Sequence, residues 1–209
     1  MTAVSDEVLA EIRAAAQDRR IDLSLSGRNL LAIPEEVGGL STLESLDLSG
    51  NGLAAIPRSI GNLARLEALC LDDNRLQDFP ESVLSLPRLR VLALRNNRLS
   101  ALPDDIGRLE HLWKLDLADN QLQALPASIG ALCRLIHLDL ARNRLVDLPP
   151  SLCRLTRLHR LKGIPPRDWC FALAGNPLTD MPTAVRQGGT DAIMAYLCKR
   201  DGQPGAATA

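Results

Sequence analysis

The chain has 209 residues, 46% hydrophobic, 23% charged and only 2% aromatic, with a formal net charge of −1. That apolar share can bury a large core and excludes a disordered tail. The shortage of aromatic rings and the lack of basic excess argue against nucleic-acid binding, by stacking or by phosphate tracking.

Residues 1–19 open the chain as a predicted helix, with Ser5 as N-cap and Val8, Leu9, Ile12, Ala15 and Ala16 on one stripe. From residue 20 a repeat sets in. Asn51, Asn74, Asn97, Asn120 and Asn143 follow at a step of 23, as do Pro34, Pro57, Pro80, Pro103, Pro126 and Pro149. Each copy reads as Leu43-x-x-Leu46-x-Leu48-x-x-Asn51-x-Leu53-x-x-Ile56-Pro57 does. Alternation at Leu46 and Leu48 marks a short strand buried on one face. The asparagine amide can satisfy backbone groups where the strand turns away, and proline, with φ preset, opens a short helical or 3-10 segment. One such coil cannot enclose its own leucines, so neighbours must stack on a shared core.

Upstream, Leu23-Ser-Leu25 begins a first copy with Arg28 in the asparagine place. Downstream, Leu158-x-x-Leu161 starts a seventh copy whose asparagine is Asn176, ten residues late, which predicts an insertion at 163–172. A final helix over 186–200, N-capped by Thr190, turns Ile193, Met194 and Leu197 inward, and 201–209 is read as a flexible tail. The expectation is one domain over 1–200, with seven repeats at 20–185 and a capping helix at each end.

On these motifs the chain resembles the leucine-rich repeat family, in its 23-residue Leu-Pro form. The resemblance implies an α/β solenoid, a horseshoe with a parallel sheet on its concave face and short helical or 3-10 segments on its convex face. The closing segment from Asn176-Pro-Leu178 to Tyr196-Leu197 is similar to the intracellular repeat modules of Roco-type proteins and to Ras-pathway repeat scaffolds. Departures are that no GTPase follows and that the cysteine-rich caps of secreted members are missing.

Localisation follows from the same residues. No run approaches the roughly 18 apolar residues of a membrane span, and the acidic start has no signal-peptide pattern. Cys70, Cys133, Cys153, Cys170 and Cys198 are scattered like reduced thiols. A cytoplasmic monomer without cofactor is expected.

Catalytic signatures are missing: no phosphate-binding P-loop, nucleophile elbow or metalloprotease helix occurs. Cys70-Leu71-Asp72 resembles a motif of repeat-containing bacterial ubiquitin ligases, but Cys70 falls on a repeat strand. Metal binding by His137, Asp139, Asp116 and His159 is conceivable from imidazole and carboxylate chemistry. The reading taken is ordinary polar surface.

What the repeat leaves free are the strand positions beside the buried leucines. Small and acidic residues fill them in the early copies; Arg90, Trp113, Lys114, Asp116, Ile136, His137, Asp139, His159, Arg160 and Lys162 gather later, and Trp169 lies in the insertion. An exposed tryptophan beside an isoleucine and positive charges is the chemistry of a protein-binding hot spot. The alternative is that Trp113 and Ile136 merely pack on each other, and that the insertion folds onto the flank. Residues 1–133 carry 13 basic and 19 acidic side chains (net −6), and 134–200 carry 11 and 5 (net +6), a dipole able to orient a partner. The function expected is a non-enzymatic scaffold that binds a protein partner in signalling. A bacterial effector acting on host proteins, or the recognition part of an enzyme, is the alternative.

Overall fold

The computed structural model describes residues 6–160 and 171–202, with side chains placed over 6–158 and 171–202. Among the described residues seven short strands form one parallel sheet in chain order. They are β1 (Asp22–Ser24), β2 (Ser45–Asp47), β3 (Ala68–Cys70), β4 (Val91–Ala93), β5 (Lys114–Asp116), β6 (His137–Asp139) and β7 (Phe171–Ala172). Each strand names a coil, one to seven. The register places Leu23, Leu46, Leu69, Leu92, Leu115, Leu138 and Phe171 side by side. All are buried, and each such leucine removed from water is worth about 1.5–3 kcal/mol. The core is thus a stack of layers, and the sheet forms the concave face of a solenoid.

The opposite face carries 3-10 segments at Glu35–Gly39, Arg58–Asn62, Glu81–Ser85, Ile106–Arg108, Ala127–Ala131 and Pro150–Arg154. In five of them proline sits one residue before the segment, with φ between −73° and −66°. Its carbonyl accepts the N–H three residues on, as from Pro57 to Ile60 at 3.3 Å and from Pro149 to Leu152 at 3.0 Å. The repeating proline is therefore the cap of these five turns, while the Ile106–Arg108 segment is capped by Asp105. Adjacent segments approach so closely that a Cβ on Gly130 would lie 2.7 Å from the Ser151 Cβ.

The asparagines form the expected ladder. The Asn120 Oδ1 accepts the Leu99 N–H at 3.0 Å, while its Nδ2 donates to the Leu94 carbonyl at 2.9 Å and the Leu117 carbonyl at 3.1 Å. Asn97 and Asn143 do the same one coil back and one coil on. One amide thus ties its own turn to the coil before it and satisfies buried backbone groups that water cannot reach. The residue preceding the asparagine place of each coil is left-handed: Gly27, Gly50, Asp73, Asn96, Asp119, Arg142 and Gly175 all have φ between 51° and 80°. Glycine, aspartate and asparagine tolerate that region best.

Both ends are closed by helices. At the start, α1 (Asp6–Gln17) buries Val8, Ile12 and Ala15; Leu9 is half-buried and Ala16 exposed, so the stripe is narrower than expected. Arg28 in place of an asparagine reaches the Glu11 carboxylate on α1 at 2.6 Å. The first coil therefore trades its ladder rung for an ion pair to the cap. Ser5 lies outside the described residues. At the far end, α3 (Thr183–Gln187) and α4 (Gly189–Arg200) follow one another. Residue Thr190 is not the N-cap of α4. Gly188 holds that position without a side-chain cap, because the chain turns between the helices through Gly189 at φ 72°. Helix α4 buries Ile193, Met194 and Leu197 and packs on Pro150–Arg154. The Arg154 guanidinium grips Asp201 at 2.9 and 3.0 Å, so this expected tail residue is anchored.

The seventh coil differs from the sequence expectation. The strand β7 is Phe171–Ala172, with Phe171 opposite Leu138 and Ala172 opposite Asp139. Positions 163–170 lie outside the described residues, whereas Phe171 and Ala172, expected inside the insertion at 163–172, are strand residues. The reason is local. In coil six the buried strand residue precedes its asparagine by 143 − 138 = 5 positions, and 176 − 171 = 5 repeats this. Asn176 is a true rung, accepting the Leu145 N–H at 3.0 Å and donating to the Leu140 carbonyl at 2.7 Å. The residue five positions ahead of it must then fill the slot.

Candidate protein-binding face

Alternation along each three-residue strand turns the middle side chain into the core and its neighbours onto the concave face. Coils five and six bring Lys114 opposite His137 and Asp116 opposite Asp139, all half-buried. Arg90 and Trp113 stand exposed at the rim just ahead of their strands, and Ile136 is half-buried in the same place. The indole of Trp113, 37% exposed, meets the His137 imidazole edge-on, with ring centroids 5.7 Å apart and planes at 63°. Arg90 reaches the Glu67 carboxylate at 2.9 Å. Seven of the expected residues thus lie on one continuous face.

For the remaining four the described residues give no side-chain placement on this face. His159 and Arg160, expected at the rim and on the seventh strand, lie in α2 (Arg157–Arg160). The seventh strand is instead formed by Phe171–Ala172, paired with Leu138 and Asp139. Ala172 holds the outward position expected for Lys162. Lys162 and Trp169 are outside the described residues.

Electrostatics are set by small, local contacts. Asp116 accepts the Ala118 N–H at 3.1 Å, and Asp139 accepts the Ala141 N–H at 2.9 Å. Burial pushes the Asp116 carboxyl up, the Ala118 N–H holds it back, and the adjacent Asp139 adds to the rise. Beyond the strand ends lies a cluster that strand-position reasoning missed. Asp119 is clamped between Arg95, at 3.1 Å, and Arg142, which approaches with both Nε and a terminal nitrogen. The Arg142 hydrogen bonds hold the Asp119 carboxyl below the usual range. Asp72 is pushed up to about 6, chiefly by burial, although the Arg95 N–H at 2.7 Å works against this; Asp116 and Asp73 add to it. The signal for these residues was the pair of positions between each second leucine and its asparagine, which face the same edge in every coil.

Among the described residues no three His, Cys, Asp or Glu side chains converge as a metal cage. His137, Asp116 and Asp139 sit in strand register, with the two carboxylates turned to their own backbone. No described helix is long and apolar enough to cross a membrane.

Comparison with known proteins agrees with the architecture. A family model described as leucine rich repeat matches residues 22–76, and one described as leucine-rich repeat region matches residues 77–181. Among solved structures, a TDR receptor is 32% identical with a TM-score of 0.70, covering 83% of this chain and 30% of that one. A leucine-rich repeat protein of Leptospira interrogans is 29% identical with a TM-score of 0.51, covering 85% and 53%. The ectodomain of the membrane receptor kinase GASSHO1/SCHENGEN3 of Arabidopsis thaliana, in complex with Casparian strip integrity factor 2, is 34% identical with a TM-score of 0.60, covering 66% and 18%. The chain spans about half the length of the Leptospira protein and less than a third of either receptor. No curated protein matches it significantly. With a stacked parallel sheet, an asparagine ladder and family models matched from residue 22 to residue 181, the chain belongs to the leucine-rich repeat family.

Proposed function

We propose that the chain binds a protein partner through its concave face and performs no chemistry of its own. Leucine-rich repeat proteins are typically interaction modules, and the architecture offers many independent surface positions on a rigid frame. The observation that carries the reading is Trp113. It is a large apolar ring, 37% exposed, at the rim of a sheet whose leucines are buried. Around it stand Arg90, Lys114, Asp116, Ile136, His137 and Asp139, an aromatic centre with a charged surround as in interface hot spots. The scattered cysteines and the closing segment's resemblance to Roco-type and Ras-pathway modules support a cytoplasmic signalling scaffold that acts as a single domain and a monomer.

The test begins with a photo-crosslinker placed at position 113, which identifies the partner in native cells. Binding of the purified partner is then measured. Trp113→Ala should weaken it by about 2 kcal/mol or more, as hot-spot aromatics do, without lowering the melting temperature. Glu36→Ala, exposed on the opposite face in the Glu35–Gly39 segment, should leave affinity unchanged. Wild-type affinity in Trp113→Ala would overturn the placement of the docking site.

A further inference from the structure

The concave face changes character along the sheet. Over β3 and β4 its outward side chains are Ala68 opposite Val91 and Cys70 opposite Ala93. These four form a small apolar floor; Ala68, Cys70 and Val91 remain part-exposed on it. Short side chains let an incoming backbone approach closely. The floor is bordered by charge. Asp47 lies beside Cys70 on β2, and Asp116 lies beside Ala93 on β5. Asp72 follows at the end of β3. The Cys70 thiol registers this border: burial holds its pKa up, Asp47 and Asp72 push it further, and Lys114 opposes them. Arg95 and Arg90 are engaged by Asp119 and Glu67. Among the described residues three carboxylates thus border the apolar centre, opposed by the ammonium of Lys114.

Spacing turns this border into a pattern. Asp47 and Asp116 are three strand steps apart, on the order of 14 Å at roughly 4.8 Å per step. An extended chain advances about 3.3 Å per residue and turns alternate side chains to one face. Groups that reach both carboxylates are thus about four residues apart, and the side chain midway between them meets the floor. We infer that the concave face over β2–β5 docks an extended segment of the partner protein that carries an aliphatic side chain with an arginine or lysine two residues to either side. This rests on the concave face being the docking surface and adds the chemistry of what docks. Burial of the aliphatic group supplies non-directional affinity, and the flanking cations relieve the carboxylates and speed encounter.

The test uses the full chain and three labelled synthetic peptides read by fluorescence anisotropy. Their centres are Arg-Ser-Leu-Ser-Arg, Glu-Ser-Leu-Ser-Glu and Arg-Ser-Gly-Ser-Arg. The first should bind at least about tenfold tighter than either of the others and weaken as salt screens the charges. The double variant Asp47→Asn with Asp116→Asn keeps the hydrogen-bond acceptors and should cost about tenfold for the first peptide. Val91→Lys should abolish its binding, and the bound peptide should shield Cys70 from a thiol reagent. Equal or tighter binding of the acidic peptide, an unaffected double variant in circular-dichroism-verified folded form, or no binding by any peptide would overturn the assignment. The parent reading fails separately, when the crosslinked natural partner ignores Val91→Lys and Trp113→Ala alike.

Discussion

Coils two to six and coil seven reach the same sheet by different routes. In the former, each strand follows the last after 23 residues, with the intervening chain wound tightly through a 3-10 segment. In the latter, the chain leaves coil six through Leu158 and α2 and rejoins the sheet at Phe171. What both keep is the five-residue interval between the buried strand residue and the ladder asparagine. Both ends of that interval contact the preceding coil, one through the core and one through the amide. Outside that interval the spacing grows by ten residues in the last copy, and lengthening a loop adds only about 0.6 kcal/mol per doubling. The unit that must stay intact is therefore the strand and its turn.

The largest expected effect breaks this comparison at its weakest point. Phe171 is only 8% exposed, and Phe171→Ala should lower unfolding free energy by about 3–5 kcal/mol, as large-to-small core changes do. Urea denaturation of Phe171→Ala and Leu161→Ala side by side decides the register. A neutral Phe171→Ala with a costly Leu161→Ala would return the strand to the position the repeat step alone predicts.

A smaller effect separates interior rungs from the first one. Asn120→Ala should destabilise by about 1–3 kcal/mol, because buried amide and carbonyl groups lose their partner. Asn51 makes equivalent bonds to Arg28, Leu30 and Leu25 but is half-buried. Water can replace its contacts in part, so Asn51→Ala should cost less. Equal melting temperatures for the two variants would mean that the rungs act independently of burial.

The smallest effect is a pH dependence that contrasts two neighbouring carboxylates. Asp72 has its folded pKa raised from 3.8 to about 6, so between those values the folded state binds more protons than the unfolded one. Stability should fall as pH rises through that window, and Asp72→Asn should flatten the slope. Asp119, held down by Arg142 and Arg95, has the opposite sign. Its contribution is present above the unfolded pKa and is lost as the solution is acidified below it. Chemical denaturation across the acid range in the two Asn variants checks both signs.

Much of this was legible in the residues alone. The period, the alternating leucines and the recurring asparagine imply stacked coils, one shared core and a parallel sheet, because each is a local requirement repeated until chance is excluded. The outward positions of Lys114, Asp116, His137 and Asp139 followed from strand alternation. The Thr190 cap did not, since helix α4 begins at a glycine turn shared with α3, a matter of packing between the two helices. Nor did the Arg95–Asp119–Arg142 cluster, whose members are 24 and 23 residues apart and meet only because consecutive coils superimpose. The position of the seventh strand was likewise decided in three dimensions. Leu161 and Phe171 were both eligible by hydrophobicity, and Phe171 fills the slot beside Leu138 while Asn176 bonds to Leu140 and Leu145. Local pattern selects the kind of coil; contact with the preceding coil selects which residues occupy it.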